Sequence, residues 1–401
     1  MRQGPHKTSI KTVNIDIEEM NARIKEHRRN IFLRWLLIIA ITAGCVFIVG
    51  LIIHMRTYTS YKITKQIQRN DVSDAGFLQM DGNILKYSAD GASYINLSGE
   101  TIWSQSYEMQ QPQADVCGQY AAIYDLQGNQ IFIVDKSGSL SNIKTSLPIG
   151  RVSVSGNGVI AVLTEEGMSS LIQLYDKDAN QLAKGEIHIK NGGYPVDVAL
   201  SDNGQGMGVA MLDVKDGSLK TTITFYNFGS VGQDESDNIV GSFSYSKTVM
   251  PRIEFVSDDE MIAFGDDKVI VFKGNKNPQE EATLQVKDEI KSILYDDEGF
   301  GLVFENDGED KKENAYKLSL YNMQAKIQNE VTFNISYNDI YFMSNGEICL
   351  QNDNELMIIK RNGRIKFTSE FDTEIYKIVP GRLYRSYTVM MPKETCKIRI
   401  K

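Results

Sequence analysis

A tight-turn motif recurs from residue 80 to residue 380, and it restricts the fold more than any other feature of the chain. In each copy a short apolar segment leads into a turn of small and polar residues, and a second apolar segment follows. The closest turns are 36 to 38 residues apart, and the longer spacings contain polar insertions, 232–238 and 306–314. A four-stranded unit repeated about every 40 residues is typical of β-propeller blades. The eight turns begin at Met80, Cys117, Ser155, Ser201, Ser257, Tyr295, Ser344 and Pro380.

The segments between the turns have the two-residue period of β-strands. Residues 131–134, 159–163 and 269–272 are examples, each short and rich in β-branched or aromatic side chains. Pairs of Asp, Asn or Ser with Gly supply the positive φ angles that tight hairpins require. We therefore predict an all-β propeller domain over residues 75–401, without a convincing helix. The pairs are Asp81-Gly82, Asp90-Gly91, Ser137-Gly138, Asn157-Gly158, Asp216-Gly217, Asn345-Gly346 and Asn362-Gly363.

Eight turns predict eight blades, with seven as the alternative. The last unit, from Pro380 onward, has room for two further strands and therefore lacks its fourth. A segment just after the apolar run, around 58–64, is a candidate for that missing strand. Such a strand closes the ring and buries the exposed faces of the terminal blades.

Residues 35–53 are an apolar run of nineteen residues without a charge. As a helix they span about 28 Å, which matches the hydrocarbon core of a bilayer. We predict a partly helical basic tail at 1–30, a transmembrane helix at 31–54 and a polar connector at 55–74. A cleaved signal peptide has a shorter apolar region that ends in small residues. Lipoprotein processing at Cys45 is disfavoured because the apolar run continues beyond it.

The charge of the chain is unevenly distributed. Residues 1–56 carry a net charge of +5 and the rest −14. Basic residues before the apolar run, among them Arg28, Arg29 and Arg34, predict a cytoplasmic N-terminus and an extracytoplasmic C-terminal domain at the cell membrane. An acidic domain repels nucleic acid, so nucleic-acid binding is disfavoured.

Residues suited to catalysis or metal binding are few. His188 is the only histidine after residue 54, and its alternation with isoleucines predicts a solvent-facing strand position. Acidic groups at Asp213–Gly217, Asp296–Gly299 and Glu305–Glu313 lack calcium-loop spacing and are interpreted as polar turns. The segment 88–94 resembles an Asp-box turn only faintly and is interpreted as a hairpin. We therefore assign no catalytic, cofactor-binding or metal-binding residue, and no cofactor.

Cysteine use does not indicate a disulfide framework. Cys117, Cys349 and Cys396 follow the apolar run, and their odd number leaves at least one thiol free or paired between chains. We interpret them as small buried strand residues, and the sequence leaves any disulfide among them open.

The segment 94–103, YINLSGETIW, resembles the repeat of pyrroloquinoline-quinone-type propellers. Segments 131–140, 174–182 and 358–367 resemble it more weakly. The whole arrangement is similar to uncharacterised single-span propeller proteins of Gram-positive bacteria. Quinoprotein enzymes carry a Trp in most blades, whereas Trp103 is the only one here outside the apolar run. The resemblance therefore implies kinship with non-enzymatic members that act as envelope scaffolds.

These observations predict a membrane-anchored propeller that binds another protein of the cell envelope. Rigid loops on a propeller are suited to recognition. Two alternatives stay open: an enzyme that uses carboxylates in the funnel to act on envelope polysaccharide, and a ligand sensor. The sequence identifies neither the partner nor any small-molecule ligand. The long insertions, with Asp234, Glu235, Asp307 and Glu309, are the candidate contact loops.

Overall fold

The computed structural model describes residues 17–69, 75–167, 169–188, 193–215, 217–233 and 235–401. The chain divides into two compact units, Met1–Arg56 and Thr57–Lys401. Of the sequence predictions, the first sixteen residues of the basic tail, Asp216 and Asp234 lie outside the described residues.

The described residues of the first unit form one helix, α1 (Ile17–Met55). Its Leu, Ile and Ala residues favour a helix, and it contains no proline. The part from Met20 to Ile48 is long and apolar enough to cross a membrane. Its large apolar side chains are exposed on all sides, including Trp35 at 61% and Val46 at 72%. This part of α1 is therefore a candidate membrane span.

The second unit is an eight-bladed propeller, as the turns predicted. In the described residues, 32 strands form eight antiparallel four-stranded sheets, with one short 3-10 helix at Ser236–Asn238. Seven blades use four consecutive strands each, and blade 8 combines the last three strands with the first. Blades 1 to 4 are β2 (Gly76–Met80), β3 (Asn83–Ser88), β4 (Gly91–Ile95) and β5 (Thr101–Ser106); β6 (Pro112–Cys117), β7 (Tyr120–Asp125), β8 (Gln130–Asp135) and β9 (Leu140–Lys144); β10 (Ile149–Val154), β11 (Ile160–Glu166), β12 (Ser169–Tyr175) and β13 (Gln181–His188); β14 (Tyr194–Leu200), β15 (Gly206–Lys215), β16 (Ser218–Asn227) and β17 (Ile239–Ser246). Blades 5 to 8 are β18 (Arg252–Phe255), β19 (Glu260–Phe264), β20 (Lys268–Lys273) and β21 (Gln279–Gln285); β22 (Ser292–Asp296), β23 (Gly299–Glu305), β24 (Tyr316–Asn322) and β25 (Ile327–Phe333); β26 (Asp339–Phe342), β27 (Ile348–Gln351), β28 (Glu355–Ile359) and β29 (Ile365–Glu370); β30 (Lys377–Pro380), β31 (Ser386–Met391), β32 (Glu394–Ile400) and β1 (Tyr61–Gln68).

The predicted closure by an early strand is confirmed. β1 pairs with β32 in antiparallel register, from Tyr61 opposite Ile400 to Gln68 opposite Glu394. Residues 61–68 of the segment predicted as a connector, 55–74, therefore belong to the propeller. They do so because the third strand of the last blade offers an edge that no other segment pairs with among the described residues.

All eight predicted turns join the first strand of a blade to its second. Because strands alternate in direction, the connection between the third and fourth strands lies at the same end. We call this end the turn face and the opposite end the link face. The insertion at 228–238 joins β16 to β17 and lies on the turn face, whereas that at 306–315 joins β23 to β24 and lies on the link face. The two insertions therefore cannot form one contact surface, contrary to the sequence-based expectation.

Apolar side chains fill every seam between neighbouring blades. The described residues form eight buried clusters, one per seam, including the seam between blades 8 and 1, where Ile84 packs with Val379 and Met390. The second strands are buried on both faces, and Val162 and Leu302, for example, are fully buried. A single blade cannot bury both faces, so the ring is held together by its seams.

Candidate functional site

The turn face has a cavity of about 310 Å³ where the inner strands of blades 2 to 6 end. We call it the axial funnel. No lysine or arginine is among the described residues that line it, although two arginines lie just behind its wall. Its ionisable lining includes five carboxylic acids, Asp115, Asp202, Glu254, Asp296 and Asp297.

The inner strands are joined by side chains that accept hydrogen bonds from the next blade. Asp115 on β6 accepts the backbone N–H of Val154 at 2.8 Å. Ser153 on β10 accepts that of Leu200 at 3.0 Å. In the same way Asp197 on β14 accepts that of Ile253 at 2.9 Å. These bonds satisfy backbone groups that the narrow inner strands leave unpaired, so the three side chains hold the wall of the funnel together.

Two arginines partly neutralise these acids. Arg151 Nε lies 3.0 Å from Asp197 Oδ1. Arg252 Nη2 lies 2.7 Å from Glu254 Oε2 and donates to the Tyr295 hydroxyl at 3.1 Å. Arg151 approaches Asp197 from the adjacent blade, so this pair also links two blades, whereas Arg252 and Glu254 lie on the same strand.

Burial changes the ionisation of these acids. It raises the pKa of Asp197 to about 7, against the hydrogen bond from Ile253. Burial also raises the pKa of Asp115 and of Glu254, the latter against the opposing charge of Arg252. Removing a carboxylate from water disfavours its charged form. The funnel therefore holds protonatable carboxyl groups near neutral pH.

The thiol of Cys117 also lines the funnel. It donates to Asp202 Oδ1 at 3.2 Å, and burial together with the charge of Asp202 raises its pKa. A thiol with a raised pKa is a poor nucleophile. Cys349 and Cys396 are buried strand residues, as predicted, and none of the four cysteines is in a disulfide.

The funnel carboxyls have protein partners that limit their use in catalysis. Asp115 and Asp197 are held by backbone N–H groups, and Glu254 is held by Arg252. A general acid or base must be free to reach the atom it protonates or deprotonates. The two acids at the mouth are more accessible, because Asp202 and Asp297 are exposed. The geometry is therefore better suited to binding than to proton transfer.

The acidic groups predicted from sequence lie in three separate places. Asp296 forms an ion pair with Arg361 from blade 7, which also lies 3.1 Å from Glu298. Asp310 accepts hydrogen bonds from Asn306, Asn314 and Thr332 and thereby organises its own loop. Lys220 Nζ lies 4.0 Å from Asp213. Among the described residues, no group of three His, Cys, Asp or Glu side chains is arranged to hold a metal ion.

Two further sequence candidates lie away from the funnel. His188 ends β13, where its backbone is paired with that of Ser169. The segment 88–94 is the β3–β4 hairpin, as predicted, with the Ser88 hydroxyl donating to the Gly91 carbonyl at 3.2 Å.

Sequence reasoning missed the charged residues of the funnel wall. Their signal is a charged side chain inside an otherwise apolar segment just before a turn, as in ADVC at 114–117 and RIEF at 252–255. Arg252 and Glu254 are two positions apart and so share one face of β18.

Three solved structures are similar to this chain in fold. Apo AztD from Citrobacter koseri has 9% identity and a TM-score of 0.51, and the match covers 75% of this chain and 87% of that one. BamB from Moraxella catarrhalis has 11% identity and a TM-score of 0.49, with coverage of 85% and 100%. The Pan2 WD40 domain from Neurospora crassa has 6% identity and a TM-score of 0.47, with coverage of 86% and 97%. At 9% identity the AztD match shows a likeness of fold alone.

A protein-family comparison matches residues 54–400, and the matching family is described as a family of unknown function (DUF5711). No curated protein matches the chain significantly. The matched range begins at the end of α1 and includes β1, so it contains every strand of the closed ring.

Proposed function

We propose, for a chain that belongs to the DUF5711 family over residues 54–400, that its propeller is a protein-binding scaffold and that the axial funnel receives a basic segment of the partner. The family match covers the complete ring, which supports a function of the propeller itself. The funnel is the concave site at the axis of that ring, where the turns of several blades meet.

The acidity of the funnel carries this proposal. Five carboxylic acids line one cavity, and no lysine or arginine shares the lining among the described residues. Arginines and burial reduce the negative charge of the inner acids, so the attraction of an opposite charge comes mainly from the exposed carboxylates at the mouth. Lysine or arginine side chains of a partner would pair first with the exposed Asp202 and Asp297. The hydrogen-bonded wall below them is rigid, which lowers the entropy lost on binding.

We further propose that α1 anchors the propeller in the cell membrane, with the N-terminus in the cytoplasm and the propeller outside. Its length, its apolar composition and the basic residues before it support this. The resemblance to the blades of quinone-type propellers supports kinship with non-enzymatic envelope scaffolds. The partner would then be another protein of the cell envelope.

The full-length protein in detergent micelles, with a fluorescent hexalysine peptide as the probe, provides the test. We expect the D202N/D297N variant to bind hexalysine about tenfold more weakly than the wild type, because two exposed charge partners are lost. Binding should also weaken as salt is added. The matched control is D90N/D372N, which removes two exposed acids on the link face. Equal binding by the two variants, or binding of hexaglutamate, would contradict the proposal.

The raised pKa of Asp197 and Glu254 favours one second candidate, a carboxylate-dependent enzyme acting on envelope polysaccharide. The same full-length protein, incubated with purified cell-wall polysaccharide, distinguishes the two. Sugar release that E254Q abolishes would replace the scaffold with a hydrolase. We expect no release.

A further inference from the structure

Blade 8 differs in charge from the rest of the propeller. Residues 57–69 and 377–401, which build it, contain ten lysines and arginines and one acid, Glu394. Residues 70–376 contain 24 lysines and arginines and 47 acids. The propeller as a whole is acidic, so this concentration of positive charge is local to one blade.

Like charges face each other within this blade. Lys62 is directly opposite Arg399, and Lys65 is opposite Lys397, across the β1–β32 pair. Like charges at directly opposed positions destabilise a sheet. None of these four side chains forms an ion pair with a carboxylate in the described part of the chain; the amine of Lys65 instead lies 3.4 Å from the carbonyl of Ser98. The repulsion is therefore left uncompensated within the protein.

Two cavities flank blade 8 on the turn face. One, of about 560 Å³, is lined by the basic residues Lys62, Arg385, Arg399 and Lys401. The other, of about 690 Å³, lies between blades 8 and 1 and has Arg382 and Lys397 in its lining. No carboxylate side chain is among the described lining residues of either cavity. Each is large enough to admit a phosphate group with its glycerol.

The turn between β30 and β31 projects an apolar residue between these basic groups. Its sequence is Arg382-Leu383-Tyr384-Arg385, with Leu383 exposed at 72% and Tyr384 at 41%. An aliphatic tip and an aromatic ring flanked by arginines are suited to the boundary between lipid headgroups and acyl chains. A free phosphate or a polyanion in water would gain nothing from an exposed leucine.

We propose that the turn-face end of blade 8 binds anionic phospholipid headgroups at the surface of the membrane that α1 spans. This rests on the proposed membrane anchoring. Only residues 56–60 lie between α1 and β1, and five extended residues reach at most about 18 Å. Blade 8 follows the helix directly in the chain, and its charge complements an anionic lipid surface.

Hydrogen exchange of the full-length protein in lipid nanodiscs tests this. We expect amides of 381–386 and β1 to exchange about tenfold more slowly in nanodiscs containing phosphatidylglycerol than in pure phosphatidylcholine, because several basic residues contribute together. K62Q/R399Q/K401Q should lose this protection. It should also be at least as thermally stable as the wild type, because it relieves the repulsion between Lys62 and Arg399. K276Q/K287Q/K312Q removes the same number of positive charges from the acidic blades and should retain the protection.

The arms of the experiment separate the alternatives. Equal protection in both lipids, or protection of the same amides by glycerol phosphate added to phosphatidylcholine nanodiscs, would overturn the proposal. Amides of α1 report the anchoring independently, since a spanning helix is protected in both lipids. Loss of protection in α1 would refute the anchoring, whereas unprotected blade 8 amides with a protected helix would refute only the lipid site.

Discussion

Asp197 stabilises the funnel wall although its burial disfavours its charged form. It is almost fully buried, accepts the N–H of Ile253 and lies beside Arg151. Its carboxylate is therefore well bonded. Even so, burial raises its pKa to about 7, because the lost hydration outweighs these bonds.

This shift predicts a pH dependence of stability. Between about pH 4 and pH 7 the folded state holds a proton on Asp197 that the unfolded state has released, so the free energy of unfolding should fall as pH rises through that window. The difference between a pKa of about 4 in the unfolded chain and about 7 in the folded protein corresponds to at most about 4 kcal/mol of unfolding free energy. D197N cannot titrate, although its amide oxygen still accepts from Ile253. Thermal unfolding from pH 4 to 8 should show a smaller decline for D197N than for the wild type.

D176N is the control of opposite sign. Hydrogen bonds from the side chain and backbone of Asn180 lower the pKa of Asp176. The stabilisation of the folded state by ionised Asp176 is therefore present above about pH 4 and is lost as the pH falls. D176N should lose stability mainly at neutral pH. If D197N follows the same pH curve as the wild type, the buried carboxyl does not titrate in this window.

At this scale the sequence predicted turn residues, Asp296 and Asp297 among them, but not the charged side chains of the funnel wall. Gly138 has a φ of 88°, and a Cβ there would lie 2.9 Å from the Trp103 ring. Local turn chemistry therefore requires glycine, and a Ser-Gly pair is visible in one sequence. Asp115 and Glu254 meet only because separate blades close around an axis, and no local pattern records that distance.

The segment before β1 strengthens the closure at the level of elements. Tyr58 pairs in parallel with Phe367 of β29, its N–H donating to the Lys366 carbonyl at 2.8 Å. The chain then continues into β1 on blade 8, so one segment joins both blades across their seam. The Tyr58 side chain is 1% exposed and packs in the cluster between blades 7 and 8.

A buried ionic group lies in the same seam. Lys366 is fully buried, with its Nζ 2.5 Å from Glu347 Oε1 and donating to the Tyr384 carbonyl at 2.6 Å. The Tyr387 hydroxyl donates to the other oxygen of Glu347 at 2.5 Å. Burial lowers the pKa of Lys366, against the attraction of Glu347. The seam therefore joins the first and last parts of the chain by apolar and polar contacts.

Y58A should weaken the closure. Removal of a buried aromatic ring costs about 3–5 kcal/mol when its site cannot collapse. The lost contacts lie between blades 7 and 8, so β1 should also become susceptible to proteolysis before the ring unfolds. T59A alters the exposed neighbouring side chain and is the matched control. Denaturation of the full-length protein and limited proteolysis measure both effects, and equal midpoints for Y58A and T59A would show that the segment does not stabilise the ring.

The sequence predicted the strands and hairpins better than it predicted the long-range pairings between them. Segments 94–103, 131–140, 174–182 and 358–367, which resemble the repeat of quinone-type propellers to different degrees, all lie at the hairpin between the third and fourth strands. In three of these the first turn residue caps the loop, as Asp135 does by accepting the N–H groups of Ser137 and Ser139. The parallel pairing of Tyr58 with Phe367 left no such trace, because it joins residues about 300 positions apart.

The whole molecule combines three separately charged parts. A basic N-terminal segment precedes the apolar helix, blade 8 is basic, and the other blades are acidic. On the turn face the acidic funnel lies at the axis, and the basic end of blade 8 lies on one side of the ring. A single face can thus attract a basic protein segment and an anionic lipid surface at different places. The envelope-protein partner proposed above requires the propeller to lie on the outer side of the membrane.

The orientation is testable by cysteine labelling in intact cells. The four native cysteines are first replaced by alanine, a small apolar residue that suits the buried positions of Cys349 and Cys396. A single cysteine is then placed at Ser236, which is exposed in the insertion between β16 and β17, or at Asn14 in the basic tail. Because basic residues before a membrane helix favour a cytoplasmic N-terminus, a membrane-impermeant maleimide should label position 236 and not position 14. Both positions should react after the cells are broken. Labelling of position 14 alone in intact cells would place the propeller in the cytoplasm, and with it the partner of the funnel.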